Sequence, residues 1–343
     1  MGGSLVIQTS FLGDVILTTP LIAELAARGP VDALVTPEGA AILANNPDLR
    51  TVFRYDKRNS YGSALGLWQT IKTIRANRPY DQVYLAQGSF RSGLLGMMTG
   101  ARERIGFSSS TGRILYTTER KYRPELHHAE RLWLLAMANA DPSPSPDQIR
   151  PRLYPSDDDR RVVDGFLRRG GGEPDTPFIA LAPGSAWGTK RWPYYVELAR
   201  ALADDFRVAV VGSHADTAVA GEIVAAAGED RVVNTVGSLS LLASAELIGR
   251  AQAIITNDSA PLHLASAMGT PTLAIFGPTV PEFGFGPLAD RRAVAGHEHL
   301  GCRPCHRHGP QRCPLGHWRC MRELTVDHIM GILPGVLTPP VPV

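Results

Sequence analysis

Three stretches put phosphate-holding or proton-moving side chains where a strand gives way to a helix. In Thr256-Asn257-Asp258-Ser259-Ala260-Pro261-Leu262-His263, the apolar run Ala253-Ile254-Ile255 leads in and Leu264-Ala265-Ser266-Ala267-Met268 leads out, stopping at Gly269. This pattern reads as a buried strand followed by a helix. Asp258 or Ser259 can cap that helix through a side-chain oxygen. Pro261 suits a first turn, where its missing N–H would be unpaired anyway. The free N–H groups and the helix dipole then form a site for a phosphate, with His263 a turn away. The plainer alternative is a capped helix and nothing more.

The second stretch is Ala182-Pro183-Gly184-Ser185-Ala186-Trp187-Gly188-Thr189-Lys190-Arg191-Trp192-Pro193, after the apolar run Phe178-Ile179-Ala180-Leu181. Gly184 and Gly188 permit unusual backbone angles. Ser185, Thr189 and Lys190 are suitable donors to phosphate oxygens, and the order is not that of a Walker A loop. The third is Ser10-Phe11-Leu12-Gly13-Asp14, after Leu5-Val6-Ile7. Gly13 brings backbone close to a ligand, but the G-x-G-x-x-G dinucleotide fingerprint is absent. Asp14 at a helix start is either a carboxylate favoured by the dipole or a general base for a bound hydroxyl.

These stretches need a scaffold, and the composition describes one. The chain has 343 residues, 44% hydrophobic and 20% charged, with a formal charge of +2. That length suits two domains. The small net charge excludes a strongly polybasic nucleic-acid binder and leaves room for local basic patches. No apolar run reaches the roughly 20 residues of a membrane span. The start, Met1 to Gln8, has no basic leader and reads as a first strand rather than a signal peptide, so a cytoplasmic protein is expected.

Apolar strand runs alternate with helical periodicity along the whole chain, which predicts α/β architecture with parallel sheets. Strands are expected near 5–7, 31–35, 52–53, 82–85, 178–181, 208–211, 232–233, 253–256 and 272–276. Pro20 should bend the helix that follows Asp14 or start a second one. Asp141-Pro142-Ser143-Pro144-Ser145-Pro146-Asp147 excludes a regular helix and reads as a linker. The expected division is 1–150, 151–325 with a Cys-rich loop at 302–320, and a terminal helix and disordered tail over 326–343. Two Rossmann-like halves facing across a cleft follow from this pattern. Arg102, Arg104, Arg113, Arg120, Lys121 and Arg123 crowd one loop-rich region. They are either a solvated surface or a site for a phosphorylated or carboxylated acceptor.

In order, Ser10 to Asp14, Pro183-Gly184-Ser185, Lys190-Arg191-Trp192-Pro193, Thr256 to His263, Gly269-Thr270-Pro271 and Phe276-Gly277-Pro278-Thr279 resemble glycosyltransferase family 9. These are the bacterial heptosyltransferases that build the lipopolysaccharide inner core, and the Cys-rich end is similar to their second-heptose branch. The resemblance implies a GT-B fold, an ADP-heptose donor, a lipid A–core acceptor at the inner face of the inner membrane, and metal-independent inverting transfer. It implies Asp14 as the base and Lys190 and Thr189 as diphosphate contacts, with Gly13 and Ser185 beside them. Asp258, Ser259, Ala260 and His263 match the donor loop. Ala260 departs from the family's usual Gly, which makes a positive φ there harder. Arg102, Arg104, Arg113 and Lys121 are assigned to the acceptor side. Other readings of the scaffold are a family member with another sugar nucleotide, a sugar-nucleotide 2-epimerase, or a non-catalytic binder.

Cys302, Cys305, Cys313 and Cys320 are all the cysteines, spaced C-x2-C-x7-C-x6-C with His306, His308 and His317 between them. On spacing alone they are a candidate for structural zinc. The second C-x2-C is missing and the resemblance implies no required metal, so a loop of free thiols is the favoured reading.

Overall fold

Short apolar runs such as Leu5-Val6-Ile7 and Ile179-Ala180-Leu181 are covered on both faces, and that is the signature of interior strands in a parallel sheet. The computed structural model describes residues 3–56, 64–77, 79–137, 143–169 and 173–337. Gly170 to Gly172, Asp141-Pro142 and the expected tail at Thr338 to Val343 lie outside them. The chain divides into two units, Met1–Tyr154 and Pro155–Val343.

The first unit carries strands β1 (Gly3–Gln8), β2 (Val31–Val35), β3 (Thr51–Arg54), β4 (Tyr80–Leu85), β5 (Glu103–Phe107) and β6 (Thr118–Arg120). They form one parallel sheet in the order β3-β2-β1-β4-β5-β6. Its helices are α1 (Leu12–Leu17), α2 (Thr19–Ala26), α3 (Pro37–Ile42), α4 (Ala64–Asn77), α5 (Phe90–Met98), α6 (His128–Trp133) and α7 (Pro146–Ile149). The second unit opens with α8 (Asp157–Arg169) and carries β7 (Phe178–Ala182), β8 (Arg207–Val210), β9 (Val232–Asn234), β10 (Ala253–Asn257), β11 (Thr272–Phe276) and β12 (Arg292–Gly296). Its sheet is parallel throughout, in the order β12-β11-β10-β7-β8-β9. The helices here are α9 (Tyr195–Ala203), α10 (Thr217–Ala227), α11 (Leu241–Arg250), α12 (Ala260–Met268), α13 (Arg319–Arg322) and α14 (Val326–Leu337).

Both sheets have the same winding. The chain builds outward from β1 to β3, then returns to the other side of β1 with β4, and β7 to β10 repeat this. The order therefore reverses between β1 and β4 and again between β7 and β10. In such sheets the crevice beyond the strands' carboxyl ends at that reversal is where ligands bind.

Several expectations need correction. The loop-rich basic region at Arg102 to Arg123 also contains two strands, β5 and β6. The strand at Thr272–Phe276 is not the last, since β12 pairs beyond it. The proline-rich stretch does form one helical turn, α7. There Pro146 sits at the helix start and Ser145 and Gln148 make a reciprocal capping box. Of the two outcomes expected at Pro20, the second is found: it marks a new helix start, with α1 ending at Leu17 and α2 beginning at Thr19.

The first sheet has a buried polar tether. Asp32, 1% exposed, accepts from Arg50 Nε at 3.0 Å and from Tyr80 Oη at 2.6 Å. Burial comes first in raising the Tyr80 phenol, followed by the Asp32 carboxylate.

Candidate active site

The reversal point of the second sheet is occupied by a buried ion pair. Lys190 Nζ donates to Asp258 Oδ2 at 2.5 Å, with side-chain exposures of 10% and 9%. Thr279 Oγ1 donates to the same carboxylate oxygen at 2.6 Å. Lys190 arrives on the loop after β7 and Asp258 on the turn after β10, the two strands that flank the reversal. Asn257 stitches these segments together. Its Nδ2 donates to the Pro183 carbonyl at 2.8 Å and its Oδ1 accepts from Trp192 N at 3.1 Å. The side chain is fully buried, so each of these bonds answers a group that water cannot reach.

Next to the pair, α12 begins without a side-chain cap. The expected cap from Asp258 or Ser259 does not form. Asp258 is turned to Lys190 and Thr279, and Ser259 Oγ donates instead to the Asn257 carbonyl at 3.4 Å. Ser259 and Ala260 are half-buried, and His263 is buried with its ring centroid 6.2 Å from that of Phe285. Ser185 is half-buried and its hydroxyl accepts from Trp187 N at 3.3 Å. Thr189 is turned inward, its hydroxyl donating to the Pro310 carbonyl.

At the reversal point of the first sheet, Gly13 and Asp14 lie in the first turn of α1, straight after β1. Asp14 Oδ1 is 3.4 Å from His128 Nε2, and both side chains are largely covered, at 18% and 14%. His128 opens α6, where the neighbouring His127 acts as N-cap by accepting from Ala129 N. Beyond β4, Gln87 Oε1 accepts from Thr9 and from Ser92, the latter at 3.1 Å. The two strand ends are thus joined by side chains as well as by the ladder. A carboxylate held beside an imidazole is a proton-accepting pair with a route for the proton. Sequence reasoning missed His128. The pair His127-His128 before an apolar helix was visible, but its approach to Asp14 is tertiary.

The assigned acceptor residues separate. Arg113 and Lys121 are exposed and follow β5 and β6, on the same carboxyl edge as Asp14. Arg102 precedes β5 and so falls at the opposite edge. Arg104 is committed to the fold, with Nε donating to the Leu115 carbonyl at 2.7 Å and Nη1 to Ala101 at 3.1 Å. The carboxyl edge also displays apolar side chains after three strands: Phe11, Phe90 and Ile114, exposed to 58%, 55% and 80%.

Residues 67–317 match the family model described as glycosyltransferase family 9 (heptosyltransferase). The chain belongs to glycosyltransferase family 9. Lipopolysaccharide heptosyltransferase 2 of Escherichia coli K12 is 29% identical over 310 residues, covering 84% of this chain and 86% of that one. Lipopolysaccharide heptosyltransferase 1 of Pseudomonas aeruginosa is 30% identical over 323 residues, covering 88% and 85%. The solved structure of E. coli ADP-heptose lipopolysaccharide heptosyltransferase II superposes with a TM-score of 0.79 at 24% identity, covering 98% of both chains. The fold of this family 9 transferase is GT-B. Among the described residues, no helix is long and apolar enough to cross a membrane.

Proposed function

We propose that this family 9 glycosyltransferase moves heptose from ADP-heptose to the first heptose of a lipopolysaccharide inner core, with inversion and without a metal in the chemistry. The observation that carries the reading is the Lys190–Asp258 pair at the second sheet's reversal point, beside the uncapped start of α12. A diphosphate placed there meets a desolvated ammonium and unspent backbone N–H donors. Together these oppose the charge that grows on the leaving group. Asp258, itself held by Thr279, keeps Lys190 in place before the donor arrives.

In the proposed step, an acceptor hydroxyl oxygen attacks the anomeric carbon of the heptose. The carbon–oxygen bond to the β-phosphate breaks and its electron pair leaves with ADP. The hydroxyl proton passes to Asp14, and His128 at 3.4 Å keeps that carboxylate oriented. Attack opposite the departing diphosphate inverts the anomeric configuration. The acceptor is anchored in a bilayer by its lipid, and the carboxyl edge of the first sheet suits that location. Phe11, Phe90 and Ile114 supply apolar contact and Arg91, Arg113 and Lys121 supply positive charge. The enzyme then works on the cytoplasmic face of the inner membrane.

Incubation with ADP-heptose and heptosyl-Kdo2-lipid A, in the presence of chelator, tests this reading. Product mass should rise by one heptose, with the anomeric configuration opposite to the donor's. Heptose released or epimerised without acceptor would point to the 2-epimerase reading instead.

A further inference from the structure

From His297 to Trp318 the second unit contains neither helix nor strand. A structureless run of that length inside a folded unit needs another source of order. It also has work to do, because it forms one wall of the Lys190 loop. Gly188 N donates to Gln311 Oε1 at 3.0 Å, Gln311 Nε2 to the Ala186 carbonyl at 2.9 Å, and Trp318 Nε1 to the Thr189 carbonyl at 2.9 Å. One end is pinned by Arg303, whose guanidinium donates to the carbonyls of Gly277 at 2.6 Å, His297 at 2.8 Å, Phe276 at 3.0 Å and Thr279 at 3.1 Å. The other end, from Cys305 to His317, is held by Cys305 N donating to the Pro278 carbonyl at 3.1 Å and by the buried Thr189 hydroxyl donating to the Pro310 carbonyl.

That end also has four thiols around one small space. Cys302, Cys305, Cys313 and Cys320 all line a cavity of about 40 Å³, and its wall also includes His317, Pro278, Leu315 and Arg303. All four are free thiols. Cys320 is buried in the hydrophobic core and Cys302 packs against it, whereas Cys305 is exposed. The cavity therefore bridges the core to the outer turn of the loop. His317 Nδ1 accepts from Arg319 N at 3.1 Å, and its Nε2 is 3.9 Å from Cys302 Sγ. His317 thus stands beside the thiols, in the position of an outer partner of a thiolate site.

We infer that Cys302, Cys305, Cys313 and Cys320 bind one thiophilic metal ion, zinc or iron, as a tetrathiolate clip that orders the wall of the Lys190 loop. Among the described residues no three His, Cys, Asp or Glu side chains already stand in a metal-holding arrangement, so binding requires the four thiols to turn toward their shared cavity. Each thiol gives its proton to solvent on binding. Four soft sulphur ligands select zinc or iron over magnesium or calcium, and a closed set of four leaves no open position for substrate. The clip is structural, and it stands whether or not the sugar and acceptor proposed above are correct.

The test is elemental analysis of the untagged protein, purified without added metal. Zinc and iron are measured per chain, with native thiols titrated in parallel. About one equivalent of zinc or iron per chain, falling at least tenfold in Cys305→Ser and Cys313→Ser, supports the site. These two cysteines lie outside the core, so the variants should fold, and an unchanged far-ultraviolet spectrum checks that. The visible absorption of tetrahedral cobalt thiolate after stripping and cobalt(II) addition would add support. Wild-type protein with no stoichiometric zinc or iron and four thiols open to titration overturns the inference. So does metal content unchanged in both variants.

Discussion

Replacing Lys190 by Met should damage the protein twice, and the two losses can be separated. The ammonium and the Asp258 carboxylate are 2.5 Å apart with side-chain exposures of 10% and 9%. Without Lys190 the carboxylate keeps, among the described residues, the Thr279 hydroxyl at 2.6 Å. Breaking a buried pair from one side costs about 3–5 kcal/mol, because the remaining charge is uncompensated. In a unit of this size that lowers the melting temperature by roughly 6–20 °C. Loss of the cation facing the leaving diphosphate should also lower kcat by about 10²–10³. Asp258→Asn in the same chain removes the stranded charge but keeps the shape and the Thr279 bond. The double variant should therefore recover most of the melting temperature and none of the kcat. Calorimetry and ADP-release kinetics on the wild type, both single variants and the double variant complete the cycle. Recovery of activity together with stability would refute the reasoning, since Lys190 would then matter only to the fold.

Other expectations follow from the same contacts. His128→Ala removes the group 3.4 Å from Asp14, so kcat should drop about tenfold, well short of the 10²–10⁴ expected for loss of the base itself, with donor KM unchanged. A loss equal to that of Asp14→Asn would make His128 the base. Alanine at both Arg113 and Lys121 should raise acceptor KM more than donor KM, while Arg102→Ala at the other edge should alter neither; steady-state kinetics with each substrate varied decides. A Cβ at Gly188 would meet the Gln311 carbonyl oxygen at 2.4 Å, so Gly188→Ala should cost about 1–3 kcal/mol and raise donor KM by loosening the Lys190 wall, read by thermal melts and donor titration. Asp159 meets burial that raises its carboxyl, but hydrogen bonds from Ser156 and Ser240 outweigh it and hold the carboxyl below the usual aspartate value. The stability it lends is full above the unfolded pKa of about 4 and is lost as pH falls through the lower folded value. Asp159→Asn should therefore lower the melting temperature at neutral pH and flatten the acid limb of the profile, so that the two proteins converge as pH falls.

Much of this architecture was legible in the sequence, because interior parallel strands carry a strong apolar signal. Leu5 to Ile7, Phe178 to Leu181 and Ala253 to Thr256 are such runs, and each lies beside a reversal point. Edge strands carry a weaker signal. β12 is half-exposed along Arg292–Gly296, and β5 and β6 sit among arginines, so charge masked their periodicity. Proximity of Lys190 and Asp258 followed from two neighbouring strand ends, but not their direct bond. That bond depends on Asn257 drawing the Pro183 and Trp192 segments against β10. The Asp14–His128 contact was out of reach for a different reason. It joins α1 to a helix far along the chain, and no spacing rule connects the two. The Cys-rich loop shows the limit from the other side, since spacing picked out the residues but only the fold places all four around one cavity.

The most direct test of the central claim is ADP release from ADP-heptose in chelator, with and without heptosyl-Kdo2-lipid A, comparing wild type with Asp14→Asn. The account predicts acceptor-dependent release by the wild type that survives chelation and falls by about 10²–10⁴ in the variant. Undiminished release by Asp14→Asn, or release by the wild type that ignores the acceptor, would contradict it.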